Sequence, residues 1–178
     1  INAQFETGFP RLLGWQYKVF DQYHLHLVPS KFKAKHLIQA LLEQASLSAM
    51  GYQKHTRLIC QDAVVNVLPM AADTAKKYLN NLMQIFMQGN QAPLAFLPET
   101  AWQLHAPLSK GARSSQQDKA QSVFEGTTGS FAVAGERDDL HVRRCFGDLD
   151  DIPADTFDYA HDVFAIWFEQ KLLEVEKL

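Results

Sequence analysis

The chain is poor in the residues that mark specialised protein classes. It holds 2 Cys in 178 residues, too few for a disulfide framework, and neither sits in a Cys-x-x-Cys pair. With 9 Gly and 7 Pro it is neither collagen-like nor low-complexity. No apolar run reaches the ~18 residues that a membrane-crossing helix needs, and no signal peptide is recognisable. Neither sign of charge prevails: 17 Lys+Arg face 20 Asp+Glu, for a formal net charge of −3. Bulk charge therefore argues against a strongly basic nucleic-acid module and leaves room only for a local basic patch. Fingerprints of Gly-x-Ser-x-Gly hydrolases, P-loops and dinucleotide-binding folds are also missing.

What is present is ordinary globular material, 47% hydrophobic and 21% charged. It is too apolar for disorder. The length suits a single domain over 1–178, with 1–10 as a linker or paired extension. The chain starts at Ile1 rather than Met, so it reads as a piece of something longer. A soluble, cytoplasmic protein is expected.

Periodicity supplies the elements. Trp15, Tyr17 and Val19, then Tyr23, Leu25 and Leu27, alternate with polar residues around Asp21-Gln22, which predicts a hairpin over roughly 12–28. Ser30 is placed to cap a helix carrying Ala34, Leu37, Leu41 and Ala45, with Gly51 as its stop. Runs 57–60 and 63–68 flank Gln61-Asp62 as a second hairpin. Ala75, Leu79, Leu82 and Phe86 line a helix ending at Gly89. Leu94 to Leu97 reads as a short buried strand, and 109–117 as an exposed polar stretch. A short helix spans 116–125, and 126–135 is rich in turn residues. Leu140 to Phe146 fits an edge strand or a helix. A final helix is expected over 156–177, with Asp155 as its cap. Interleaved helices and strands make the class α/β or α+β.

Several clusters could carry chemistry. His24 and His26 share one side of a strand and could bind Zn²⁺, but no third ligand stands at a recognisable spacing. A solvated or partner-facing strand surface is the plainer reading. Cys60 and Cys145 are isolated, and Cys60 suits a small core position. Asp148, Asp150 and Asp151 lack the Gly and Glu of a Ca²⁺ loop. Glu136, Asp138 and Asp139 could hold Mg²⁺ for phosphoryl chemistry, with Arg137, Arg143 and Arg144 nearby to offset them. Lys31, Lys33 and Lys35 with His36 form the strongest basic cluster. Lys31 and Lys35 would share a helical face and are the candidate DNA contacts. Cations at a helix N-terminus oppose the macrodipole, which hints at a local reason for them.

Longer words then fall in a telling order. Gln-Ala-Pro-Leu-Ala-Phe-Leu-Pro-Glu-Thr-Ala-Trp (91–102) follows Phe-Met-Gln-Gly-Asn (86–90). Phe-Glu-Gly (124–126) follows a short helix, and Gly-Glu-Arg-Asp-Asp-Leu (135–140) leads to Arg-Arg-Cys-Phe (143–146). Upstream, Arg-Leu-Leu-Gly-Trp (11–15) precedes a hairpin and a Leu-rich helix. In this order and spacing the chain resembles the C-terminal region of the exodeoxyribonuclease V gamma-subunit family, the RecC chains of RecBCD. The resemblance covers nearly the whole chain, though each word is short.

That resemblance implies a PD-(D/E)xK restriction-endonuclease-like core, a mixed sheet flanked by helices, that has lost its active site. It implies no catalytic residue, no metal and no cofactor. The complex would be a helicase–nuclease that processes double-strand breaks for recombination. The partners implied are RecB and RecD, with docking to RecD (the alpha subunit), and DNA reached through the assembly. A homodimer of this chain alone would be non-biological. The residues agree on one point independently. From Arg11 through Leu42 the only acid is Asp21, in a turn, and the hairpin at 57–68 carries only Asp62, again in its turn. Neither offers the D/E-x-K that would hold Mg²⁺. An active nuclease built on Glu136, Asp138 and Asp139, and a DNA-contact module built on Lys31 and Lys35, are the other readings.

Overall fold

A computed structural model describes residues 2–3, 12–15, 17–107, 114–128, 130 and 132–178, with backbone alone at 2, 3, 12 and 13. Two compact units share the chain. One comprises Ile1–Met87 with Trp167–Leu178, and the other Gln88–Ile166.

The first unit is built on a mixed four-stranded sheet in the order β3-β4-β5-β8. Strands β1 (Asn2–Ala3) and β2 (Leu12–Leu13) form a separate two-residue ladder. β3 (Tyr23–Leu27) runs parallel to β4 (His55–Ile59), with α1 (Ala34–Ala49) as the crossover between them. β5 (Ala63–Val67) returns antiparallel through the expected turn, where Cys60 N–H donates to Ala63 O at 2.8 Å. β5 is flanked on both edges, and Ala63, Val64, Val65 and Val67 are all buried, as a central strand requires. β8 (Leu173–Lys177) closes the order antiparallel to β5.

α1 lies against β4 and β5 with Leu37, Leu41 and Ala45 buried. It ends as Gly51 predicts. Gly51 N–H reaches Ser48 O at 2.9 Å and Tyr52 N–H reaches Leu47 O at 3.1 Å, with Gly51 at φ 81. This is the left-handed termination that glycine favours. α2 (Ala72–Gly89) follows with the predicted Ala75 and Leu79 buried.

The second unit is largely helical: α3 (Pro98–His105), α4 (Gln116–Glu125), a small ribbon of β6 (Gly126–Thr127) and β7 (Val133–Ala134), a 3-10 turn at Glu136–Asp138, α5 (Leu140–Phe146) and α6 (Ala154–Ala160). A π-helical stretch His161–Ala165 leads into α7 (Ile166–Glu169). Phe124 and Phe164 are fully buried, and Trp102 meets Phe164 edge-on at 5.7 Å.

Several expectations need correction, and the open alternative at Leu140 to Phe146 is settled. The long first hairpin shrinks to one bridge, Val19 with His24, closed by Phe20 N–H to Tyr23 O at 2.8 Å. β3 instead takes a parallel partner, because the apolar α1 can cross over the sheet. Ser30 does not cap α1. Its carbonyl accepts from Gln61 N–H at 2.9 Å, and Phe32 N–H donates to Asp62 Oδ1 at 2.6 Å. The segment is thus tied to the β4–β5 turn, and the helix begins only at Ala34. Leu94 to Leu97 is not a strand. Pro93 and Pro98 remove ladder donors, Pro98 opens α3, and the Ala95 carbonyl accepts from Thr156 Oγ1 at 2.6 Å. Leu140 to Phe146 resolves as helix, with Asp139 Oδ1 accepting from His141 N–H at 2.8 Å.

The predicted helix 156–177 stops at Glu169, and its N-cap is Pro153 rather than Asp155. Lys171 adopts φ 54, and Leu172 N–H returns to Trp167 O at 2.8 Å, which ends the helix. Beyond it, Leu-Glu-Val-Glu-Lys has period two and joins the sheet. Most of 1–10 and of 109–117 lies outside the described residues.

Candidate functional site

The most connected polar cluster lies where α1 meets β3 and β4. Successive strand residues alternate faces, so His24, His26, Thr56 and Leu58 share the side that α1 covers. His24 is 3% exposed. The solvated or partner-facing surface expected of the two histidines is therefore wrong for His24, which turns inward while Leu27, on the opposite face, is 52% exposed. His24 Nδ1 lies 3.2 Å from Thr56 Oγ1, and Thr56 donates to Gln44 Oε1 at 2.8 Å. Gln44 Nε2 donates to Lys54 O at 2.9 Å and to Ser48 Oγ at 3.2 Å. Glu43 Oε2 stands 3.5 Å from His24 Nε2 and 3.1 Å from His26 Nδ1. Burial is the main influence on the His24 imidazole and pushes its pKa down, with Glu43 opposing.

Sequence reasoning singled out the two histidines but not Glu43, Gln44 and Thr56. The available signal was Gln44, a polar residue three positions after Leu41 on the buried stripe of α1.

The acids at 136–139 do not converge. The Glu136 carboxylate accepts from Glu99 N–H at 3.1 Å and Thr100 N–H at 2.8 Å, capping the start of α3 from outside the helix. Burial raises its pKa, and those backbone donors oppose the rise. Asp138 Oδ2 accepts from Gly135 N–H at 3.3 Å, and Asp139 caps α5. Each carboxylate thus serves a different backbone segment. Asp148 is held by Arg143, Nη2 at 2.7 Å and Nε at 2.9 Å, while Asp150 and Asp151 are exposed. Among the described residues, no group of three or more His, Cys, Asp or Glu is arranged to hold a metal ion. Cys60 is buried, its thiol pushed up first by burial and then by Asp62, and Cys145 is exposed.

Lys31, Lys33 and Lys35 are all exposed. Lys31 precedes the first turn of α1, so it shares no helical face with Lys35. Their field is still felt: after burial, Lys35 and Lys33 are the next influences lowering the pKa of His36.

Exposed aromatic side chains precede β3 in the chain. Trp15 is 86%, Tyr17 75% and Phe20 51% exposed. Phe20 stacks at a tilt on Tyr23 at 5.7 Å, and Tyr23 on His55 at 6.1 Å. The structure buries Trp102 and Trp167 and exposes Trp15.

A family model for the RecC C-terminal domain matches residues 1–108, which spans the sheet through β5 together with α1, α2 and α3. The chain belongs to that family. The RecBCD enzyme subunit RecC of Escherichia coli (strain K12) is 30% identical over 150 residues, covering 78% of this chain and 13% of that protein. The chain thus corresponds to a small part of that relative's length. The match to the RecC C-terminal domain takes in the polar cluster of His24 and Glu43 and the exposed aromatics, and it leaves out Glu136, Asp138 and Asp139.

No helix among the described residues is long and apolar enough to cross a membrane.

Proposed function

We propose that this chain is a non-catalytic domain of a RecBCD-type helicase–nuclease. In this reading it keeps a PD-(D/E)xK-like architecture without the chemistry. It scaffolds the assembly of a RecC-type subunit with RecB and RecD, and it helps guide DNA strands in cytoplasmic double-strand break repair. One observation carries the proposal: what fills the α1-facing side of the sheet. Thr56, Leu58, Val65 and Val67 stand on the strands where a nuclease of that type would need converging carboxylates. Among the described residues, the acid contributed there is Glu43, engaged by His26 and by Gln39, whose Nε2 donates at 3.0 Å. Strong Mg²⁺-dependent DNA cleavage by the 178-residue chain, abolished in Asp138→Ala, would overturn it.

The assembly role draws support from Trp15, Tyr17 and Phe20. Exposed aromatics of this size are enriched where proteins meet. A subunit carrying Trp15→Ala, Tyr17→Ala and Phe20→Ala should fold normally, because these side chains are solvent-exposed. Its capture of RecD should fall by about tenfold or more, as loss of aromatic anchors commonly does. Undiminished capture would remove this surface from the docking role.

The guiding role rests on Lys31 and Lys35. Replacing both with Ala should make the salt dependence of DNA binding by the assembled complex shallower, by about 2 in the slope of log K against log salt. An unchanged slope would take them off the DNA path.

A further inference from the structure

The Gln44–Thr56 hydrogen bonds behind β3 favour one position for the proton of a neutral His24. Gln44 Nε2 donates to the Lys54 carbonyl at 2.9 Å, an acceptor that cannot become a donor, so Gln44 Oε1 must face Thr56. The Thr56 hydroxyl gives its single proton to that oxygen at 2.8 Å. The same hydroxyl oxygen can then only accept from His24 Nδ1, 3.2 Å away. This arrangement favours the Nδ1–H tautomer of a neutral His24, with a lone pair on Nε2. That lone pair meets another acceptor, Glu43 Oε2, at 3.5 Å. The shorter partner of this oxygen is His26 Nδ1 at 3.1 Å. One added proton on His24 turns the acceptor–acceptor contact into a charge-assisted hydrogen bond that competes with His26 for Glu43.

We propose that His24 is a proton-operated joint between β3 and α1: neutral, it holds the Nδ1–H tautomer against Thr56, and on gaining a proton it draws Glu43 from His26 towards itself. The titratable and charged groups facing it are Glu43 from α1, His26 from its own strand and Lys18 from the preceding segment. The Tyr17 carbonyl also hydrogen-bonds the ring and favours its charged form, while Thr56 from β4, and Gln44 from α1 behind it, do not titrate.

Burial lowers the imidazole pKa below its ordinary value of 6.5, Glu43 pulls it up, and His26 and Lys18 reinforce burial. The folded unit then binds fewer protons than the unfolded chain between the folded pKa and 6.5. The stability tied to His24 is present above that range and is lost as pH falls through the folded pKa. The joint also reaches the exposed aromatics. Val19 bridges to His24, and Leu25 N–H holds the Lys18 carbonyl at 3.0 Å.

Long-range ¹⁵N histidine NMR of the 178-residue chain from pH 4.5 to 8 tests this. His24 should be the Nδ1–H tautomer at high pH, with a titration midpoint below 6.5. Glu43→Gln should shift that midpoint downward. Thr56→Val should release the tautomer into a mixture, and Thr56→Ser should preserve it. The idea is overturned by an Nε2–H tautomer, by a midpoint at or above 6.5, or by a midpoint indifferent to Glu43→Gln. Coordination shifts at both histidines on adding Zn²⁺ at fixed pH would put a metal where the proton is assigned, and would overturn it too. The unmutated spectrum decides the tautomer even if a variant fails to fold.

Discussion

Trp167→Ala should destabilise the first unit by about 3–5 kcal/mol, the range for deleting a fully buried tryptophan. Trp167 is 0% exposed and meets Tyr78 edge-on, with ring centroids 5.5 Å apart. Tyr78 is buried as well, and desolvation drives its phenol far above the ordinary range. The cost extends beyond the cavity, because the Trp167 carbonyl accepts from Leu172 N–H in the turn that delivers β8 to the sheet. Trp15→Ala is the internal control. At 86% exposure it should change stability by no more than about 0.5 kcal/mol. Urea unfolding followed by circular dichroism separates the two. Similar midpoints for both variants would mean that Trp167 does not anchor the core.

Gly126→Ala should be nearly as costly, at about 2–4 kcal/mol, because strain and overlap act together. Gly126 sits at φ 79 where α4 ends and β6 begins. A Cβ there would run into the Val133 carbonyl oxygen and the Gly135 nitrogen, which are backbone atoms of the ribbon and its exit. Gly51 isolates the conformational part. Its φ is 81, yet an added Cβ would meet nothing within 4 Å. Gly51→Ala should therefore cost about 1 kcal/mol, from the left-handed backbone alone. Thermal melts of both variants give the comparison. Equal losses would show that the ribbon yields to the extra methyl group.

Local signals predicted the elements well where the local pattern decided them. The β4–β5 hairpin follows from two β-rich runs around Gln61-Asp62, and α1 ends where Gly51 permits a left-handed turn. The pattern failed where a distant partner decided. The alternation at Trp15, Tyr17 and Val19 is real, but alternation does not say whether the apolar side is covered, and Trp15 and Tyr17 face solvent. His24 looked like a surface residue because the groups around it, the half-buried Glu43 and the buried Gln44 and Thr56, lie 19, 20 and 32 positions later. The same holds for Glu136. Its role as the cap of α3 depends on Thr100, 36 residues earlier, and no spacing rule connects a loop acid to a helix start so far away. The end of the last helix was legible in principle. Leu-Glu-Val-Glu-Lys has strand period, but Phe157, Ala160, Phe164 and Trp167 set so strong a helical rhythm before it that the change of period was missed.

The ladder between β5 and β8 joins residues such as Val65 and Val175, with the whole second unit between them in sequence. During synthesis, the valine-rich β5 therefore emerges long before the strand that covers its outer edge. An unpaired edge of this kind is a template for pairing with other chains. Contacts so distant in sequence also form slowly, since a long loop must close first. The nascent chain thus passes through a period with an open, sticky strand. That period ends only when residues 173–177 arrive, so the timing of translation past Glu169 bears on yield as well as on fold.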